Sequence, residues 1–195
     1  MDLQKNIMHE LLKAIPAGIC IGIGGWVYLA VGNRVAGAVL FSFGLLSVLV
    51  MELYLYTGMI GTASLKDARR MFTVLVGNFI GAYATGLLAS VFIAVDLSGK
   101  FVRSPLLVFA LSCMCGIIMY LSVAAFKKTK NPVYPVFGVA VFILAGFEHC
   151  IADAFYMGVQ RNFYPLFCLM NILGNTVGSI VWYRASLLAE KCRKQ

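Results

Sequence analysis

Three ionisable residues, Glu148, His149 and Asp153, stand with Cys150 inside an otherwise apolar run from Val133 to Val159. An imidazole at membrane depth can give a hydrogen bond or a proton to a molecule passing it. One imidazole with two carboxylates is also a donor set that manganese or zinc would accept. A thiol beside an imidazole is, in turn, the raw material of a nucleophile. The last two readings carry less. A net-positive chain offers a divalent cation little reason to approach, and sequence neighbours on a helix project apart with no cluster of oxyanion donors nearby. The expectation is therefore no metal, no cofactor and no enzyme chemistry. Ionisable groups in a membrane segment by default mark a path for ions, protons or substrate. On that rule His149 reads as lining a pore, against the alternative of a histidine bonded to a neighbouring helix. Glu148 and Asp153 either face the same path or brace the backbone around it.

The elements that must hold these groups are set by composition. The chain has 195 residues, 61% hydrophobic and 12% charged, with mean hydropathy +0.88. Six apolar stretches are separated by charged or turn-rich breaks, at about residues 15–31, 35–60, 71–95, 104–126, 133–158 and 164–187. Each is long enough for a membrane helix. Continuous apolar runs, rather than alternation, exclude a spanning β-barrel. The reading is an all-α membrane protein, one domain over residues 1–195 with six transmembrane helices. Residues 1–14 form an amphipathic surface segment, too mixed in charge for a secretory leader, and residues 188–195 a basic tail. The six cysteines, without metal spacing, read as buried thiols.

The net charge of +8 is not spread as nucleic-acid binding would require. Twelve Lys and Arg flank the stretches on the side of both termini and of the Lys66–Arg70 and Lys127–Lys130 loops; the other side has four, Arg34, Lys100, Arg103 and Arg161. The positive-inside rule places both termini in the cytoplasm of a protein in the plasma or inner membrane.

A duplication is also legible. Val76-Gly77-Asn78-Phe79-Ile80-Gly81-Ala82 and Leu173-Gly174-Asn175-Thr176-Val177-Gly178-Ser179 share one pattern at an offset of 97. Glu52 and Glu148, like Thr57 and Asp153, are 96 apart. The run Glu52-Leu53-Tyr54-Leu55-Tyr56-Thr57-Gly58 suggests a helix broken at depth. Three spans repeated after an odd number must invert, so repeat one (about 15–95) and repeat two (about 104–187) form an inverted 3+3 pair with spans 2 and 5 interrupted. Such pairs put the substrate path beside the breaks. Asn78 and Asn175 either brace the broken segments through their amides or touch substrate.

At these residues the chain resembles the formate/nitrite transporter family. Gly146-Phe147-Glu148-His149 with Ile151-Ala152-Asp153 looks like that family's Gly-Phe-Glu-His-Ser-Ile-Ala-Asn signature, and Leu55-Tyr56-Thr57-Gly58 like its Leu-Phe-Thr-Gly loop. The two Gly-Asn motifs match its spans 3 and 6. The resemblance implies an aquaporin-like fold, a homopentamer with one pore per subunit, and passage of small monovalent anions or their conjugate acids with protons across the lipid bilayer. It makes His149 the central pore histidine and Thr57 the threonine facing it. Phe41, Leu45 and Phe142 would form apolar constrictions, with Leu55 and Tyr56 lining the loop. Cys150 and Asp153 stand where the family commonly has Ser and Asn.

Overall fold

The computed structural model describes residues 2–193, and among them the chain is helical with no strand. Helix α1 (Asp2–Ala30) carries the amphipathic segment and the first apolar stretch as one rod, with Pro16 inside it. Helix α2 (Arg34–Val50) starts at Asn33, whose Oδ1 accepts the amides of Val35 and Ala36 at 3.0 and 2.9 Å. The chain then leaves helical geometry until α3 (Tyr56–Met59), which runs into short 3-10 turns at Ile60–Thr62 and Leu65–Asp67. Helix α4 (Ala68–Ala89) and a single turn α5 (Ser98–Phe101) complete the first half. The second half comprises α6 (Pro105–Thr129), α7 (Val133–Ala145), α8 (Cys150–Val159) and α9 (Pro165–Arg193).

Among the described residues four helices, α1, α4, α6 and α9, are long and apolar enough to cross a bilayer, and α7 with α8, bent by 58° at their break, make a fifth if the pair is one span. Helix α2 has only 17 residues, because the second apolar stretch breaks at Met51 rather than running on to residue 60. Large apolar side chains such as Phe43, Phe72 and Phe137 are more than half exposed, the surface a hydrocarbon solvent covers. The protein is a multi-pass membrane protein.

The two breaks are made the same way. Helix α7 ends with Gly146 in the left-handed region (φ 73°); Gly146 N donates to Ile143 O at 3.1 Å and Phe147 N to Phe142 O at 2.9 Å. Helix α2 ends with Glu52 left-handed (φ 51°); Glu52 N donates to Leu49 O at 3.4 Å and Leu53 N to Val48 O at 2.9 Å. Both are the paired-bond termination that satisfies a helix's last carbonyls. The structural partner of Glu52 is therefore Gly146, at an offset of 94, and not Glu148 at 96 as the residue types suggest. Glu52 itself is exposed, and its carbonyl accepts from Lys13 Nζ at 3.3 Å.

Helix α1 packs along α4, and α6 along α9. Gly18 lies against the Asn78 carbonyl and Gly116 against the Asn175 carbonyl, where a side chain would hold the helices apart. The tightest crossing for the site is α4 on α8: a Cβ on Gly158 would meet the Tyr83 carbonyl oxygen and come within 3.0 Å of Gly86 Cα. Both obstacles are backbone and cannot rotate away. Gly158→Val should therefore destabilise by about 1–3 kcal/mol or more, the usual range for overpacking. The midpoint of heat-induced aggregation in detergent should fall; an unchanged midpoint would show that the crossing is slack.

Candidate functional site

The break between α7 and α8 leaves His149 as the N-cap of α8, with φ −110° and ψ 112°. Its Nδ1 accepts the Ala152 amide at 3.1 Å, a capping bond that fixes the ring. Its Nε2 lies 2.9 Å from Thr57 Oγ1, on the short helix that follows the other break. Since Nδ1 is occupied as an acceptor, a neutral ring carries its proton on Nε2 and donates it to Thr57. Both side chains are almost wholly buried. The residues that sequence reasoning set opposite each other are thus bonded across 92 positions of chain.

Each break is held by one asparagine. Asn78 Oδ1 accepts Tyr56 N at 2.8 Å, while its Nδ2 donates to Tyr54 O and Ala14 O, both at 2.8 Å. Asn175 Oδ1 accepts Cys150 N at 2.9 Å, while its Nδ2 donates to Glu148 O at 2.8 Å and Ser112 O at 2.9 Å. Non-helical backbone in a dry interior needs such partners, because an unmade bond there leaves the full desolvation penalty. Each amide makes three bonds to backbone and is 0% exposed, so the amides of Asn78 and Asn175 are spent on bracing the breaks, and neither residue lines the two cavities next to His149 and Leu55. The two clamps again pair Tyr54 with Glu148 and Tyr56 with Cys150, at the offset of 94 set by the helix ends.

Glu148 does not cap amides. Its carboxylate, fully buried, is ion-paired with Lys100 and Arg103 from the connector before α6. Lys100 also reaches Asp153 Oδ1 at 3.0 Å, and Asp153 Oδ2 accepts from Asn171 Nδ2 at 2.6 Å. Asn171 is oriented in turn by Ser112 Oγ at 3.0 Å. Sequence reasoning counted Lys100 and Arg103 only as charges on one side of the membrane, and passed over Asn171 and Ser112. The signal for the two cations was available: buried carboxylates in a membrane segment need partners, and the connector after α4 is where two lie close together.

Apolar walls close the centre. The Phe142 ring stacks on His149 at 5.5 Å between centroids, and Phe41 meets Phe142 edge-on at 5.9 Å. Phe41 and Leu45 are almost wholly buried. On one side of this plug a cavity of about 210 Å3 is lined by His149, Phe142, Asp153, Lys100, Arg103 and Arg34, among others. On the other, Leu45 and Leu55 line a narrow cavity of about 40 Å3 that shares Leu53 and Lys127 with a wider one of about 310 Å3 edged by Arg70 and Lys130. Tyr56, buried, bonds Thr176 Oγ1 through its hydroxyl at 2.8 Å. Cations stand at both mouths and apolar rings between them.

A multi-pass helical bundle in which helix ends meet around polar side chains at its centre, with open cavities on either side, is the architecture of a membrane transport protein. The chain belongs to the formate/nitrite transporter family, whose model matches residues 2–188. Among solved structures it is similar to a pentameric formate channel with formate bound, at 23% identity and a TM-score of 0.72, covering 96% of this chain and 97% of that one. It is also similar to an FNT family ion channel, at 19% identity and a TM-score of 0.85, covering 96% and 92%. No curated protein matches the chain. Family and neighbours are transporters and channels, not enzymes. The thiol-imidazole reading also fails on geometry, since both ring nitrogens of His149 are engaged elsewhere.

Proposed function

We propose that this chain conducts small monovalent anions or their conjugate weak acids, such as formate, nitrite, hydrosulfide or short monocarboxylates, linked to protons through His149. The observation that carries the reading is the Thr57 Oγ1 to His149 Nε2 bond of 2.9 Å, a polar pair set in a plug of apolar side chains between two cation-edged cavities. An unaccompanied anion crossing the ring formed by Phe41, Leu45, Leu55 and Phe142 would forfeit its hydration, at a cost of order tens of kcal/mol in a medium of low dielectric. A neutral acid would not. With Nε2–H committed to Thr57, the threonine hydroxyl hydrogen is free to meet an anion oxygen. When the ring takes a second proton it does so on Nδ1, giving up the Ala152 cap. Nε2–H then passes to Thr57 Oγ1 as the threonine hydrogen passes to the anion oxygen, which leaves a neutral acid that can cross and a neutral ring that recovers its proton from the medium. In this reading Tyr56 stiffens the loop, Asn78 and Asn175 hold the breaks, and Glu148 anchors the backbone just before the histidine.

The two halves share their helix-end motif and their asparagine clamp, which supports six spans in an inverted 3+3 repeat. The neighbour described as pentameric supports a homopentamer, and the asymmetry of Lys and Arg supports the plasma or inner membrane with both termini cytoplasmic. Purified protein in proteoliposomes, offered formate, nitrite, acetate, lactate and hydrosulfide at two pH values, should pass at least one of them, faster at the lower pH. Failure to pass any would overturn the proposal.

A further inference from the structure

The cavity at Arg34 is lined by three cations and one carboxylate, Asp153, with Glu148 buried behind Lys100 and Arg103, and the way these groups pair singles out one residue. Glu148 and Asp153 have side chains only 0% and 2% exposed, whereas those of Lys100 and Arg103 are 21% and 36% exposed. Lys100 faces both carboxylates and Arg103 faces Glu148, so this cluster of two positive and two negative groups is formally neutral. Asp153, standing where the resemblance leads one to expect an asparagine, supplies the second negative charge. Lys100 and Arg103 are thus each held against a carboxylate.

Arg34 lies outside that balance. It is the first residue of α2, lines the same cavity as His149, and makes no ion pair among the described residues. Its Nη2 donates to Leu144 O at 3.0 Å, one of the carbonyls at the C-terminal end of α7. That single bond holds the guanidinium at the mouth of the break, and a guanidinium has five N–H donors in a rigid fork. Arg34 is in the lining of a cavity of about 210 Å3 whose wall also includes the apolar side chains of Leu97, Phe142 and Ile143. The volume suits a short monocarboxylate with some water, and a planar fork suits its two oxygens.

We propose that Arg34 is a capture residue, binding a small monovalent carboxylate or similar oxyanion in this cavity before it meets His149. The proposal rests on the transport reading above for its purpose, but its test reads binding and flux separately. Formate binding to the detergent-solubilised full chain would be followed by calorimetry for the parent, Arg34→Gln and Arg34→Lys. Loss of a charge-assisted hydrogen bond should weaken formate about tenfold in the Gln variant, and Lys should restore most of it. In proteoliposomes the Gln variant should raise the half-saturating formate concentration by a similar factor, with the maximal rate changing less. It should also flatten the dependence of that concentration on ionic strength. A residue that merely ties α2 to α7 through Leu144 O would lower the thermal midpoint of the Gln variant but leave binding and salt dependence alike in parent and variant; that result overturns the proposal. Absence of formate binding to the parent overturns it as well. Arg34-dependent binding without any flux would instead sustain the capture site and sink the transport reading.

Discussion

His149→Ala should leave the bundle folded and abolish pH-dependent uptake of weak acids. The stability loss is confined to the break. The variant loses the Nδ1 cap on the Ala152 amide, typically worth about 1 kcal/mol. It also opens a cavity against Phe142, and large-to-small changes in a buried site cost about 2–5 kcal/mol. Helix pairs α1 with α4 and α6 with α9 do not depend on that ring, so the protein should still elute as a folded species from detergent. The functional side is large, because nothing else in the apolar plug can exchange a proton: Thr57 is left with a hydroxyl and no partner across the break. His149→Asn sharpens the test, since its side-chain oxygen can still accept the Ala152 amide while its amide cannot carry the proton. Proton-linked formate uptake into liposomes should be lost in both variants. Unchanged pH dependence in the Asn variant would show that the ring is a hydrogen-bonding spacer and no more.

Glu148→Gln should destabilise the protein through charge rather than through lost packing. The carboxylate is fully buried, and removing one partner of a buried ion pair typically costs 3–5 kcal/mol because the opposite charge is left unanswered. Here the low end, about 3 kcal/mol, applies, since Lys100 keeps Asp153 at 3.0 Å and Arg103 is partly solvated. The damage should spread to transport, as Glu148 is bonded through its carbonyl to Asn175 and immediately precedes His149. A double-mutant cycle checks the cause: Arg103→Gln combined with Glu148→Gln should cost less than the two separate losses together, because the orphaned cation is gone. Additive losses would place the effect in the shape of the break rather than in the charge.

Both results turn on contacts that differ in how far they could be read from the chain. The two breaks, at Glu52–Gly58 and at Glu148–His149, were legible as facing segments because each is a short polar interruption of an apolar run, and membrane physics leaves few reasons for such interruptions; the pairing of His149 with Thr57 in particular came from the family resemblance. Asn78 and Asn175 were legible as a matched pair from their shared pattern, although their bonds to Tyr54, Tyr56, Glu148 and Cys150 follow only from the fold. Lys100 and Arg103 were visible as charges and not as partners. They lie 48 and 45 positions from Glu148, on a connector whose path no local periodicity describes.

Sequence alone determined the class of protein and the places where its apolar stretches are interrupted, since hydropathy and charge act locally and are written residue by residue; which residues meet there followed from the family resemblance. Only the tertiary structure decided the register of the two halves. Glu52 and Gly146 are unlike in chemistry yet occupy the same left-handed position at the end of a helix, so the two breaks correspond at an offset of 94, where like residues suggested 96, while the asparagines that clamp them stay 97 apart. Backbone conformation, which many residue types can adopt, sets that register. Charge balance was likewise a tertiary outcome: which cations answer Glu148 and Asp153, and which one is left over at Arg34, depends on distances between segments that only folding brings together.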